Sequence, residues 1–426
     1  MLSSKNIHEL ADHLFRHESG KMVSVLTKIF GPHNLQLAED VVQDTLLKAM
    51  NTWKMNGLPE NPSAWLFTAA KNKALDIIRK AKRQQNYATE ISYLLQSEYT
   101  LSPTVNELMN KDAIEDDQLR MMFTCCHPSL APETQVALVL KTLCGFSITE
   151  IARAFIAAND TIEKRLYRAK QKFREEKIAF EIPKGSELEE RLDNVLIAIY
   201  LLFNEGYNST QHENLIRRDL LEESLRLGEL LIQHPATKQP KVFALLALMC
   251  FNSARSNARL DKEGNILLLK DQDRSLWDQS LIERGLRFIE DSAAGEMLSA
   301  YHLEAAIACE YITAADYSNI NWQHILHYYD LLYQLRPTAI VALNRSVVVG
   351  ELYGPAEGIK AIEKIPGIEF LKNYYLLHAI LGEMHFQLDN KDKAADYFSK
   401  AALLTASETE KKLLAEKMSQ IQQPHL

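Results

Sequence analysis

Apolar residues recur at spacings of three and four along almost the whole chain, and runs that alternate apolar and polar residues are scarce. That periodicity predicts helices and argues against sheet. In LAEDVVQDTLLKAMNTW (37–53), Leu37, Val41, Thr45, Ala49 and Trp53 fall on one side, and Asp40, Gln43, Asp44 and Lys48 on the other. In AWLFTAAKNKALDIIRKAKR (64–83), Phe67, Ala70, Ala74, Ile77 and Ala81 form an apolar stripe. Asn72, Asp76, Arg79, Lys80 and Arg83 form a second stripe about 140° around the same helix.

The segment SITEIARAFIAANDTIEKRLYRAKQKF (147–173) holds two helix starts. Ser147 with Glu150, and Asp160 with Glu163, have capping-box spacing. They predict a first helix of about nine residues, a turn at 157–159 and a second helix, the outline of a helix-turn-helix. Ile151, Phe155, Ile162, Leu166, Ala169 and Phe173 would share its buried face. Thr161, Lys164, Arg165, Arg168 and Lys172 would stay outside, the first turn toward base edges and the later cations toward phosphates. A solvated surface helix in an α-bundle would have the same pattern.

Breaks divide the chain. Gly31-Pro32 and the stretch 57–62 interrupt a first helical unit, residues 1–83. Residues 84–112 are polar and read as a linker, 113–180 as a second small unit, and Pro183–Ser186 as a boundary before a long helical region, 188–426. Near its end, Leu381-Gly382 is followed by Ala394, Phe398 and Ala401, small residues that let antiparallel helices approach while Phe398 fills the gap. The spacing resembles a tetratricopeptide repeat. A weaker echo places Leu343 and Ala356 in equivalent positions, and a third ends at Pro337. The expected fold is all-α: two small helical domains followed by a tetratricopeptide-like repeat domain.

Charge sharpens this division. Residues 1–180 carry 23 Lys and Arg against 21 Asp and Glu, a net of +2, whereas 181–426 carry 25 against 35, a net of −10. The cations of the front half cluster in 71–83 and 164–177, two candidate polyanion contacts. Amides, cations and the nearby Trp65 suit single-stranded DNA, where bases stack and backbones need neutralising. A core role for Trp65 is the equal alternative. The polar side of 37–53 suits either solvent or a partner helix.

Other chemistry finds little support. Five cysteines without regular spacing suggest reduced thiols in a cytoplasmic protein. Cys125-Cys126-His127 lacks the gap that zinc ligands need. His324 and His327 lack a carboxylate at ligand spacing, and Asp271, Asp273 and Asp278 lack a calcium-loop pattern. Neither a phosphate-binding glycine loop nor a Ser-His-Asp set stands out. The N-terminus does not read as a signal peptide, and the longest apolar run, Val242–Phe251, is too short for a bilayer. No enzyme activity, cofactor or metal is expected, and no membrane partner.

The order AEDVVQDT, AWLFTAAKNKALDIIRKAKR, linker, ITEIARAF, TIEKRLYRAK resembles bacterial extracytoplasmic-function (ECF) sigma factors over residues 8–178. FTCCHPSLAPETQVALVL (123–140), YLLFNEGY (200–207) and DQDRSLWDQSLI (271–282) are similar to segments of those with a C-terminal helical-repeat extension. The resemblance implies core RNA polymerase, through its β′ clamp and β flap, and promoter DNA as partners. It assigns Asp40, Gln43 and Asp44 to polymerase. Trp65, Lys71, Asn72, Asp76, Arg79, Lys80 and Arg83 fall to the −10 strand, and Thr161, Lys164, Arg165, Arg168 and Lys172 to the −35 duplex. Glu163 departs from the basic or small residue many such factors carry, and the turn at 157–159 lacks glycine. The C-terminal region would modulate activity in cis and take a peptide or protein ligand. A stand-alone helix-turn-helix regulator with a helical sensor domain, or a peptide-binding repeat scaffold, are the competing readings.

Overall fold

The computed structural model describes residues 4–83, 109–155, 157–209, 215–295 and 297–422. The expected linker therefore lies almost wholly outside the described residues. Side chains of 4–13, 81–83 and 422 are also outside them. Among the described residues there are eighteen α-helices and no strand. The all-helical expectation holds.

Two compact units emerge. One takes residues 1–202 with 222–237, the other 203–221 with 238–426. The stretches 188–202 and 222–237, expected with the C-terminal region, thus group with the front.

The first unit opens with α1 (Ser4–Phe30), α2 (Leu35–Asn56) and α3 (Pro62–Arg83). The breaks fall where glycine and proline predict them. Asn61 caps α3 by accepting the Ala64 amide at 3.0 Å, and Pro62 occupies the first turn, where its missing N–H costs nothing. Val41, Thr45, Ala49 and Trp53 of α2 are buried as their spacing requires. In α3 the buried set is Leu66, Ala70, Ala74, Leu75 and Ile78. Phe67 and Ile77 are only half-buried, so the stripe is turned by about one residue from the expected line.

Four helices follow: α4 (Lys111–Cys125), α5 (Pro132–Thr142), α6 (Ile148–Ala154) and α7 (Asn159–Glu175). Helix α1 packs on α2, α3, α4 and α5 together. At Gly20 the approach is so close that a Cβ would lie 2.3 Å from the Leu143 carbonyl oxygen, which only glycine permits. Lys28 of α1 reaches Asp117 of α4 at 2.9 Å, and Asp117 is fully buried. Burial raises the Asp117 carboxyl above its usual range, against the opposing pull of Lys28 and Arg120. Helices α8 (Ser186–Tyr207) and α9 (Arg218–Gln233) are each divided between the two units.

The second unit continues with α10 (Pro240–Ala254), α11 (Gln279–Ser292), α12 (Ala300–Thr313), α13 (Trp322–Leu335), α14 (Ala339–Tyr353), α15 (Pro355–Glu363), α16 (Tyr375–Gln387), α17 (Lys391–Leu404) and α18 (Glu408–Gln422). Successive helices pack in pairs. In the pair α16 and α17, a Cβ on Gly382 would meet the Phe398 ring at 2.7 Å. Ala394, Phe398 and Ala401 are buried there, as the spacing predicts. In the pair α14 and α15 the close approach is made by Gly350 and Gly358 instead, and Ala356 is exposed.

Candidate nucleic-acid interface

The polar face of α2 is open. Asp40, Gln43 and Asp44 are exposed, and Asp40 accepts a hydrogen bond from Gln36 at 2.9 Å. Two apolar residues that the sequence reading passed over share this face: Leu47 is 58% exposed and Met50 45%. Their spacing from Gln43, four and seven residues on, was the available signal.

Between α2 and α3 runs an open groove of about 720 Å³. Asp44 and Lys48 line one wall, and Asn72, Lys73, Asp76 and Lys80 the other. Lys73, also missed from the sequence, forms an ion pair with Asp44 across it. Asp76 is exposed and stands 3.7 Å from Arg79, while Lys80 points to solvent and Lys71 is half-buried. Arg83 ends the helix, with its side chain outside the described residues. Trp65 is half-buried and meets Trp53 edge-on at 5.6 Å, with Phe15 behind Trp53 at the same distance. It is at once a core anchor and a partly open ring.

The second module has helix-turn-helix form. Ser147 and Glu150 close a full capping box, with Glu150 accepting the Ser147 amide at 2.7 Å. The second expected box does not form. Helix α7 starts two residues earlier, with Ala158 as an N-cap that has no side-chain acceptor, so Asp160 already lies inside the first turn. Glu163 is exposed and has no capping role. Ile151, Ile162, Leu166, Ala169 and Phe173 are buried, whereas Phe155 is half-buried.

Along α7, Thr161, Lys164 and Arg168 are exposed. Arg165 is half-buried, its guanidinium 5.9 Å from the Phe155 ring centre. Lys172 turns back to donate to the Ser129 carbonyl at 2.6 Å. Lys170 forms an ion pair with Glu39 of α2 and donates to Gln36 at 3.0 Å. Tyr167, 67% exposed between Glu163 and Arg168, is a further surface residue that charge counting overlooked.

The cysteines do not join this surface. Cys125, Cys126 and Cys144 are buried, and burial pushes their thiols above the ordinary range. His127 instead pairs with Ser129 at 2.9 Å. Among the described residues no group of three His, Cys, Asp or Glu is placed to hold a metal, and no helix is long and apolar enough to cross a membrane.

A helical module with an open polar face and a groove lined by lysines and aspartates, next to a helix-turn-helix, has the outline of a sigma-70-type factor. Family comparison agrees: residues 14–84 match sigma-70 region 2 and residues 120–173 match sigma-70 region 4. Residues 191–293 match a family of unknown function, DUF6596.

The chain is 33% identical over 380 residues to the uncharacterised protein R00370 of Rhizobium meliloti, covering 88% of each, and belongs to one family with it. It is 27% identical over 165 residues to the ECF RNA polymerase sigma factor SigE of Mycolicibacterium smegmatis, covering 38% of this chain and 60% of that one. It is 29% identical over 133 residues to SigL of Mycobacterium tuberculosis, covering 31% and 70%. No solved structure matches. Residues 14–84 and 120–173 thus mark the chain as a sigma-70-type factor, and these regions imply core RNA polymerase and promoter DNA as partners.

Proposed function

We propose that this sigma factor rests in a closed state in which region 4 is packed on region 2, and that its C-terminal part helps to hold it there. The observation that carries the reading is the ion pair between Lys170 of the helix-turn-helix and Glu39 of α2. Arg16–Glu150 at 3.5 Å and Lys28–Asp117 at 2.9 Å support it. The segment 222–237 adds two further ties: Glu223 with His17 of α1 at 2.7 Å, and Arg226 with Gln118 of α4 at 3.1 Å.

Magnitudes show why this state must open. Elements about 25 base pairs apart lie roughly 85 Å apart at ~3.4 Å per base pair. A compact unit of roughly 200 residues has a radius of gyration of about 17 Å. Packed together, the two regions cannot reach both elements, so productive binding separates them.

In the open state Asp40, Gln43 and Asp44, with Leu47 and Met50, would meet polymerase. Trp65, Lys71, Asn72, Asp76, Arg79, Lys80 and Arg83 would face the −10 strand. Thr161, Lys164, Arg165 and Arg168 would face the −35 duplex. Lys172 would reach phosphate only after leaving Ser129. Leu47 and Met50 favour a protein partner on α2 over the stand-alone regulator. The small-residue contacts of α14–α15 and α16–α17 support a tetratricopeptide-like array. A groove of about 750 Å³ that includes Asp330, Arg345, Tyr353 and Lys360 supports a peptide ligand there.

The test is transcription in vitro with core polymerase on a random promoter library. Promoter-dependent starts are expected. Binding to core polymerase without any transcript would overturn the sigma reading. The closed state has its own test: Lys170→Glu should raise transcription, and adding Glu39→Lys should restore the wild-type level by re-forming the pair in reverse.

A further inference from the structure

Three arginines of the second unit converge without an ion-paired carboxylate among the described residues. The guanidiniums of Arg274 and Arg255 lie 4.3 Å and 5.9 Å from the centre of the Trp277 ring. Arg259 stacks on Tyr207 at 3.9 Å. None of the three makes an ion pair with a described Asp or Glu. Their hydrogen bonds go to neutral acceptors: Arg255 to the Gln272 amide oxygen at 3.2 Å, Arg259 to the Tyr207 carbonyl, and Arg274 to the carbonyls of Tyr311 and Ala314 at 3.2 and 2.5 Å. Asp316 is the acid that Arg274 senses, but its carboxylate accepts from Ser318 and Asn319. Asp273 is likewise committed to Ser275.

Two donors here have no acceptor. Arg274 Nη2 and Trp277 Nε1 are both closed to water and make no hydrogen bond. A buried donor left unpaired costs roughly 1–3 kcal/mol, and such a group calls for an explanation. Burial holds Arg259 and Arg274 below the usual guanidinium range, and the charge of Arg255 pushes each further down. Like charges gathered with spare donors and no ion-paired carboxylate are what an oxyanion would satisfy, because guanidinium forks match its geometry.

We propose that Arg255, Arg259, Arg274 and Trp277 form a binding site for a small oxyanion, the phosphate or carboxylate group of a small molecule. All four lie within residues 191–293, which gives the segment of unknown function a ligand class. Tyr207 and Trp277 come from the two C-terminal motifs YLLFNEGY and DQDRSLWDQSLI, and the DNA and polymerase faces do not use them. Arg274 belongs to a single turn, Arg274–Leu276, so admitting a ligand needs movement of one turn rather than of a helix. The proposal stands independently of the sigma reading.

Calorimetry on the full chain tests it, with inorganic phosphate in one arm and succinate in the other. Saturable binding of at least one is expected, and the stronger arm identifies the group. Arg255→Gln and Arg274→Gln should each weaken binding at least tenfold. Trp277→Phe keeps an aromatic ring under the guanidiniums and removes the N–H with the smaller half of the indole; it should weaken binding threefold or more, with a cooperative melting transition confirming an intact fold. Lys164→Ala should bind like the wild type. If neither anion binds saturably, if folded variants at 255 and 274 bind unchanged, or if Lys164→Ala abolishes the signal, the proposal is overturned.

Discussion

Helix α3 presents Asn72, Asp76, Arg79 and Lys80 to solvent, whereas α7 opens Lys164 and Arg168 and turns Lys170 and Lys172 inward. Both helices are rich in cations. The difference lies in what each packs against. Helix α3 has α1 and α2 on one side, and its groove is left open. Helix α7 has α5, α6 and the start of α2 around it; α2 supplies Glu39 and Gln36 as acceptors, and the loop between α4 and α5 the Ser129 carbonyl. On α7, Lys164 and Arg168 stay open because the packed elements offer them no acceptor among the described residues, whereas Lys170 and Lys172 are engaged.

The largest expected effect removes one side of the comparison altogether. Phe173 anchors α7 with no exposure, so Phe173→Ala should cost about 3–5 kcal/mol and abolish −35 protection. Chemical denaturation and footprinting would check both. Next is Gly20→Ala, whose new methyl meets backbone that cannot move aside. A loss of about 1–3 kcal/mol is expected. Hydrogen exchange should quicken in α5 and α7 while α3 stays protected, and uniform quickening would remove the distinction between the helices.

The comparison sharpens on single cations of α7. Lys164→Ala should weaken −35 binding by about 1–3 kcal/mol if it reads a base. Lys172→Ala should cost less than about 1 kcal/mol in the same titration, because its ammonium is engaged by Ser129. Equal losses would mean that the open state frees Lys172 fully.

The smallest effect is a matter of pH. Burial opposes ionisation of Glu223, but hydrogen bonds from Arg226 and His17 outweigh it and hold the carboxyl below its usual range. A lowered acid stabilises the fold above its unfolded value, near 4.5, and that contribution fades as pH falls through the folded value. Glu223→Gln should therefore flatten the acid limb of the stability profile below about pH 4.5. Melting curves from pH 6 to 3 would show it, and an unchanged slope would dismiss the Glu223 tie.

Much of the fold was legible because helix periodicity and cap chemistry are local. Gly31-Pro32, the Gly57–Pro62 break and the Ser147–Glu150 box all mark ends that the structure keeps. The stripe on α3 was misplaced for an equally local reason. Ala70 and Ala74 belong to both possible stripes, and alanine is too small to choose between Phe67 with Ile77 and Leu66 with Ile78. Asp160–Glu163 had the spacing of a cap without the role, because the chain enters α7 two residues earlier at Ala158.

Sequence alone determined the helices, the ends set by Gly31-Pro32, Gly57–Pro62 and the Ser147–Glu150 box, the two cationic segments and the Gly382–Phe398 contact, since each depends on residues near one another in the chain. Tertiary structure decided which cations stay open, that region 4 lies on region 2, and that Arg255, Arg259 and Arg274 gather around Trp277 and Tyr207. Those outcomes depend on pairs such as Glu39 with Lys170, 131 residues apart. No local pattern encodes a partner that only folding brings within hydrogen-bonding distance.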